Sequence, residues 1–171
     1  MMAPPDTVAR LVRLLAALAL LVLPGACGFT PLYAGGSEGA VGQAMREIQI
    51  APIPDRIGQL VRDRLVLGIG ESAAAAYRLE TVLQQQTEGF GIRGDNTVTR
   101  ERLTLTASYR LIDLATGKVV LSDSTRSDAG VDVVSADYAN VVAEETAFER
   151  NAQAVADQIR NRLALYFSQR R

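Results

Sequence analysis

Near its C-terminus the chain places Phe148, Ala152, Val155, Ile159, Leu163 and Tyr166 at successive steps of 4, 3, 4, 4 and 3 residues. Residues three and four apart stack on one side of a helix, so this spacing draws a single apolar stripe from about Asn140 to Ser168. A helix of about 29 residues with one such stripe must lay it on a broad apolar surface, and a sheet is the surface that fits. Glu144, Glu145 and Glu149 stand early in this segment, while Arg160, Arg162, Arg170 and Arg171 gather at its end, the order that complements a helix dipole.

The strands for that sheet are legible upstream. Ile48 and Ile50 alternate with Glu47 and Gln49, which predicts a first strand within Arg46–Ile53, ended by Pro52 and Pro54. Asp55 suits a helix N-cap, and Ile57, Leu60, Val61 and Leu65 recur at helical spacing before Gly68 and Gly70 close a helix of about 13 residues. Tyr77 to Gln86 alternates again, with Tyr77, Leu79 and Leu83 on one side. The segment Glu88–Asn96 carries three glycines and reads as a loop. It lacks the G-K-[ST] ending of a phosphate-cradling loop, and its Arg93-Gly94-Asp95 run is ordinary turn chemistry.

Thr97 to Leu111 predicts a long third strand with Leu103, Leu105, Ala107, Tyr109 and Leu111 inward, so that Arg100, Arg102 and Arg110 face outward. A hairpin loop at Asp113–Lys118 leads to a fourth strand ending near Ser127. The order strand, helix, three strands, helix predicts an α+β fold. It is a two-layer sandwich: a four-stranded, mostly antiparallel sheet with two helices packed on one face, and a right-handed crossover where the first helix joins parallel neighbours.

The N-terminus has its own pattern. Arg10 and Arg13 precede an uncharged run from Leu14 to Leu23, ten residues long. A membrane-spanning helix needs about 20 apolar residues, whereas the core of a secretory signal takes about 7–15. Gly25 and Ala26 then precede Cys27, the only cysteine, in the manner of a bacterial lipobox, with Pro24 three places before the cysteine where a Leu-like residue is usual. The expected organisation is a lipoprotein signal peptide over 1–26, a lipidated Cys27 with a flexible tether over 27–44, and one α+β domain over 45–171. Each acyl CH₂ buried in a bilayer contributes about 0.8 kcal/mol, so several chains on Cys27 would hold the protein there.

Composition removes much chemistry. The 171 residues include no histidine and one cysteine, which excludes Ser-His-Asp and Cys-His catalysis, His-ligated zinc and an intrachain disulfide. A net charge of -1 argues against a nucleic-acid partner, which needs a strongly basic face. Asp128, Asp132 and Asp137 could be imagined as a glycosidase or metal cluster, but sequence spacing does not give the carboxyl separation such chemistry requires, and no nucleophile motif accompanies them. The expectation is therefore a protein that is not an enzyme and holds no metal or cofactor.

The run Cys27-Gly28-Phe29-Thr30-Pro31-Leu32-Tyr33 resembles the C-G-F-x-P-L-Y start of mature alphaproteobacterial members of the LptE lipopolysaccharide-assembly lipoprotein family. The element order and the helix ending in Gln158-Ile159-Arg160 and Leu163-Ala164-Leu165-Tyr166-Phe167 are similar to that family as well. The resemblance implies an outer-membrane lipoprotein facing the periplasm. Such a protein plugs and helps assemble an LptD-like β-barrel and binds lipopolysaccharide on its way to the cell surface. In the resembled lipoproteins Gly rather than Asp at position 28 goes with export to the outer membrane. A different lipoprotein binding module, such as an accessory subunit of a lipid transporter, would share the anchor and lack the seven-residue start. From the residues themselves, Arg93, Arg100, Arg102 and Arg110 form the densest basic row. They are the candidate contacts for lipopolysaccharide phosphates, since guanidinium groups bind phosphate through charge-assisted, bidentate bonds.

Overall fold

A computed structural model describes residues 39–70, 74–92 and 98–170. Helix α1 (Ala40–Arg46) leads into strand β1 (Ile48–Ile50), helix α2 (Asp55–Ile69), strands β2 (Tyr77–Ile92), β3 (Val98–Asp113) and β4 (Val119–Asp132), and helix α3 (Asp137–Ser168). The sheet order is β1-β2-β3-β4, with β1 parallel to β2 and the other neighbours antiparallel. This is the α+β sandwich that the periodicities predict, with the helices over one face of the sheet.

The inward face follows the period-two rule. Leu103, Leu105, Ala107, Tyr109 and Leu111 of β3 are all buried, and Leu79 of β2 is buried beside them. Most of them share one cluster with Ile48 and Ile50 of β1, Val61 and Leu65 of α2, and Val155, Ile159 and Leu163 of α3. A second, smaller cluster of Leu103, Val131 and Ala147 closes the end of the sandwich near the start of α3.

Several elements differ from the sequence reading. The stretch assigned to a tether contributes residues 40–44 to α1, whose Val41 and Met45 are buried one turn apart; two apolar side chains at i and i+4 suffice to dock a short helix. Residues 1–38, including Cys27, lie outside the described residues. Strand β1 is only three residues long, because Arg46 belongs to α1 and Glu47 is that helix's C-cap; the Glu47 carbonyl still accepts from the N–H groups of Ala76 and Tyr77 at 2.9 and 3.1 Å. Asp55 makes no side-chain cap; Pro54 occupies the cap position, and Asp55 itself adopts a φ of 67°. Gly70, at φ 90°, ends α2 by donating to Val66 O at 2.8 Å, while Gly68 stays within the helix.

The largest correction concerns the glycine-rich segment. Glu88 to Ile92 is strand, not loop, paired with β3 through Glu88↔Arg102 and Phe90↔Arg100. Strand β4 likewise runs on to Asp132, past Ser127. Glycine is a poor strand former in isolation, but ladder hydrogen bonds and cross-strand side chains override that preference when a neighbour is in place. Gly91 keeps the local irregularity: at φ 76° it drops out of register, and Thr99 Oγ1 donates to its carbonyl at 2.5 Å.

Helix α3 begins three residues earlier than its stripe suggests, and its buried face is broader. Phe148 and Tyr166 are only half-buried, while Ala147, Asn151, Ala156, Ala164 and Phe167 join the buried set. The widening has a geometric cause, since α3 packs against α2 as well as against β3 and β4. Its charges serve tertiary contacts as well as the dipole: Arg56 of α2 reaches Glu145 and Glu149, Arg64 reaches Asp157 at 3.1 Å, and Arg162 reaches Asp123 of β4 at 2.7 Å.

Candidate ligand-binding sheet face

With the helices committed to one side, no other described element covers the opposite face of β2, β3 and β4. Register places its side chains in rows across the three strands: Glu80, Arg110, Ser122; Val82, Ser108, Ser124; Gln84, Thr106, Arg126; Gln86, Thr104, Asp128; Glu88, Arg102, Gly130; and Phe90, Arg100, Asp132. The middle of the face therefore carries hydroxyl and amide groups on β2 and β3 and the Arg126–Asp128 ion pair on β4, with Arg100 and Arg102 at one end and Arg110 at the other.

Arg100 and Arg102 sit together at one end, two residues apart on the same side of β3. Arg100 Nε lies 2.7 Å from Asp132 Oδ1 across the strand pair, and that bond raises the Arg100 pKa. Arg102 has a different neighbour. Its guanidinium carbon stands 5.3 Å from the centroid of the Phe90 ring, a cation–π arrangement that positions the group while leaving its N–H fork unsaturated. Among the described residues, Arg102 is the guanidinium of this strand with no carboxylate in ion-pair contact.

Arg110 belongs to the other end. Eight residues beyond Arg102 at about 3.3 Å per residue, it is roughly 26 Å away, and its Nη2 meets Glu80 Oε2 at 2.9 Å. Arg110, Val82, Ser108, Ser122 and Ser124 line an open concavity of about 700 Å³, with Ala51 and Pro52 at its rim. Beneath it, burial pushes the Tyr109 phenol up to about 12, with the neighbouring Asp123 carboxylate adding to the rise and Arg162 opposing it. Asp123 is held below the usual carboxylate range, first by Arg162 and then by the Ser124 N–H. Arg93 lies outside the described residues. The face thus carries three of the four arginines read from the sequence, as a close pair and a distant single residue.

The ion pairs on this face are exchangeable. An exposed pair contributes about 0–1 kcal/mol, so Asp132 holds Arg100 in place without committing it against a competing phosphate. Phe90 is the residue that sequence reasoning missed, because it was assigned to a loop. The signal that finds it is register, since Phe90 falls opposite Arg100 once β2 extends past Gln86. Asp128 accepts from Thr104 at 2.6 Å and pairs with Arg126, while Asp137 opens α3, so these carboxylates are dispersed. Among the described residues no group of three or more His, Cys, Asp or Glu side chains could hold a metal ion.

Comparison with known proteins adds the family context. A family model described as LptE, lipopolysaccharide-assembly, matches residues 45–163, from just before β1 to near the end of α3. An uncharacterised Rickettsia prowazekii protein is 27% identical over 123 residues, covering 72% of this chain and 78% of its own. The crystal structure of a candidate lipoprotein from Caulobacter crescentus CB15 superposes with a TM-score of 0.61 at 27% identity, covering 78% of this chain and 98% of that one. The rare lipoprotein B of Shewanella oneidensis shares the fold, with a TM-score of 0.57 at 15% identity over 68% of this chain and 92% of its own.

Proposed function

This chain belongs to the LptE lipopolysaccharide-assembly family, and we propose that it does that work as an outer-membrane lipoprotein, anchored through Cys27 and seated in an LptD-like β-barrel. In this reading it presents the open sheet face to lipopolysaccharide. The observation that carries the reading is the family match across both layers of the sandwich. The geometry of the face supports the ligand assignment. Arg100 and Arg102 are side by side, one on an exposed and exchangeable carboxylate and one on an aromatic ring. Neighbouring phosphate oxygens of the lipopolysaccharide core would replace Asp132 on the first and fill the free fork of the second. The hydroxyl and amide side chains of β2 and β3 between Arg102 and Arg110 suit sugar hydroxyls. Arg110 would act at the far end, with Arg93 near the hairpin tip.

Neutral substitutions test this better than charge reversal, because a glutamate at position 100 or 102 would stand opposite Asp132 or Glu88 and add repulsion. The double variant Arg100→Gln, Arg102→Gln is expected to bind lipopolysaccharide at least about tenfold more weakly at low salt, since a hydrogen bond to a charged group is worth about 1.5–3 kcal/mol. Its stability should move by less than about 0.5 kcal/mol, as exposed substitutions do. Unchanged affinity would return the row to an ordinary solvated face.

The anchor has its own readout. Intact-mass measurement of the protein extracted from membranes should show loss of residues 1–26 and the added mass of acyl chains on Cys27. An unmodified Cys27 or cleavage at another bond would refute this part of the proposal.

A further inference from the structure

We propose that, while free of a barrel partner, the chain pairs with a second copy of itself along the open edge of β2, in an antiparallel ladder centred on Gln86. Strand β1 covers β2 only at Tyr77–Leu79, so among the described residues the edge from Thr81 to Ile92, roughly 40 Å long, has no paired strand. The helices pack over β1, β3, β4 and the first part of β2, where Tyr77 meets Phe167 and Leu79 is fully buried; farther along, on the helix side of β2, the side chains of Gln85 and Thr87 are exposed. An edge of this kind is ordinarily blunted by lysine, proline or inward charge. From Thr81 to Ile92 the strand holds none of the first two, and Glu88 is its one charge.

The opposite edge shows the contrast. Strand β4 carries Asp123, Arg126, Asp128 and Asp132, and the Ser124 N–H is occupied by the Asp123 carboxylate at 2.8 Å. That edge is protected, and the β2 edge is available.

Hydrogen bonds already present set the phase of the open edge. Ala51 N–H donates to Leu79 O, and Tyr77 N–H donates to Glu47 O, both toward the β1 side. A residue's N–H and C=O point to the same edge and alternate along the strand, so Thr81, Leu83, Gln85, Thr87 and Gly89 present their amides outward. In a two-fold ladder centred on Gln86, Gln85 would exchange bonds with Thr87 of the second copy, and Leu83 with Gly89. The even residues then form the closely approaching, non-hydrogen-bonded pairs. Val82 would face Phe90, and Gln84 would face Glu88.

This register selects itself from the side chains. Val82 is 65% exposed and Phe90 38% exposed, the exposed large apolar residues among the described side chains of β2, and they stand eight residues apart. Only a centre midway between them, at Gln86, pairs each with the other twice. At the same centre the Gln84 amide meets the Glu88 carboxylate, which otherwise accepts from Gln86 Nε2 at 2.8 Å. The contact is small compared with the roughly 1,200–2,000 Å² of a stable interface, so the dimer is concentration-dependent.

The test is sedimentation and oxidative cross-linking of the full chain in detergent. Wild type should shift from monomer to twice that mass as concentration rises. In Gln86→Cys the two sulfur-bearing positions would lie about 4.5 Å apart at Cα, within disulfide reach, whereas in Gln84→Cys they would lie roughly 13 Å apart. Cross-linking above the wild-type background is therefore expected for Gln86→Cys and not for Gln84→Cys. Thr87→Pro removes an N–H that faces the open edge while leaving the bonds to β3, so it should give a folded monomer by circular dichroism. A wild type that stays monomeric at all concentrations, equal cross-linking at both positions, or a folded Thr87→Pro that still dimerises would overturn the proposal.

Discussion

Leu163→Ala should destabilise the domain by about 2–5 kcal/mol, lowering the urea midpoint with little change in slope. Leu163 is fully buried, in one cluster with Ile48, Val61, Leu65 and Leu111, so it joins α3 to α2 and to the sheet. Truncation removes three carbons from a site walled by two layers, and the cavity persists because neither layer can collapse alone. Leu165 is the internal comparison. At 41% exposed on the same helix, its truncation should cost well under about 1 kcal/mol. If Leu163→Ala were as stable as wild type and only lost a partner, the stripe on α3 would be an interface and not core.

Asn151→Asp should cost about 3 kcal/mol at neutral pH. Asn151 is 2% exposed, and it links the layers by donating Nδ2–H to Leu103 O at 2.9 Å and accepting from Ser127 Oγ at 2.9 Å. The substitution keeps the shape but removes the donor, leaving an ionised carboxylate facing a carbonyl in a dry site. Such a carboxyl titrates higher in the folded state than in the unfolded chain, so folding favours its protonated form. The penalty is therefore full above the folded pKa and shrinks as the pH falls through it toward the unfolded value, where an O–H can again donate to Leu103 O. The stability gap to wild type should narrow on acidification. A variant as stable as wild type at neutral pH, or a gap that widens in acid, would contradict the role assigned to Asn151.

The parts of the fold that repeat were legible in the sequence. Leu103 to Leu111 alternate over nine residues and Ala152 to Leu163 keep a helical step, and both sets are buried where periodicity put them. The parts that depend on a distant neighbour were not. Gly89 argues for a loop until β3 supplies its ladder partner Glu101. Asn151 reads as a polar interruption until Leu103 O and Ser127 arrive from the sheet. Val41 and Met45 form a pattern too short to outweigh the small residues around them.

The candidate site divides the same way. Alternation alone places Arg100, Arg102 and Arg110 on one face, and the rise per residue alone separates Arg110 from the other two. The partners of those arginines, Asp132, Phe90 and Glu80, come from register between strands that are far apart in sequence. The Phe90–Arg102 contact could only be seen in three dimensions.

The central claim is that this chain performs lipopolysaccharide assembly as the partner of an outer-membrane β-barrel. Affinity purification of the full chain from detergent-solubilised outer membranes, with the bound protein identified by mass spectrometry, tests it most directly. The account predicts an LptD-like barrel recovered in stoichiometric amount. Recovery of the folded chain from outer membranes without any large β-barrel would contradict it.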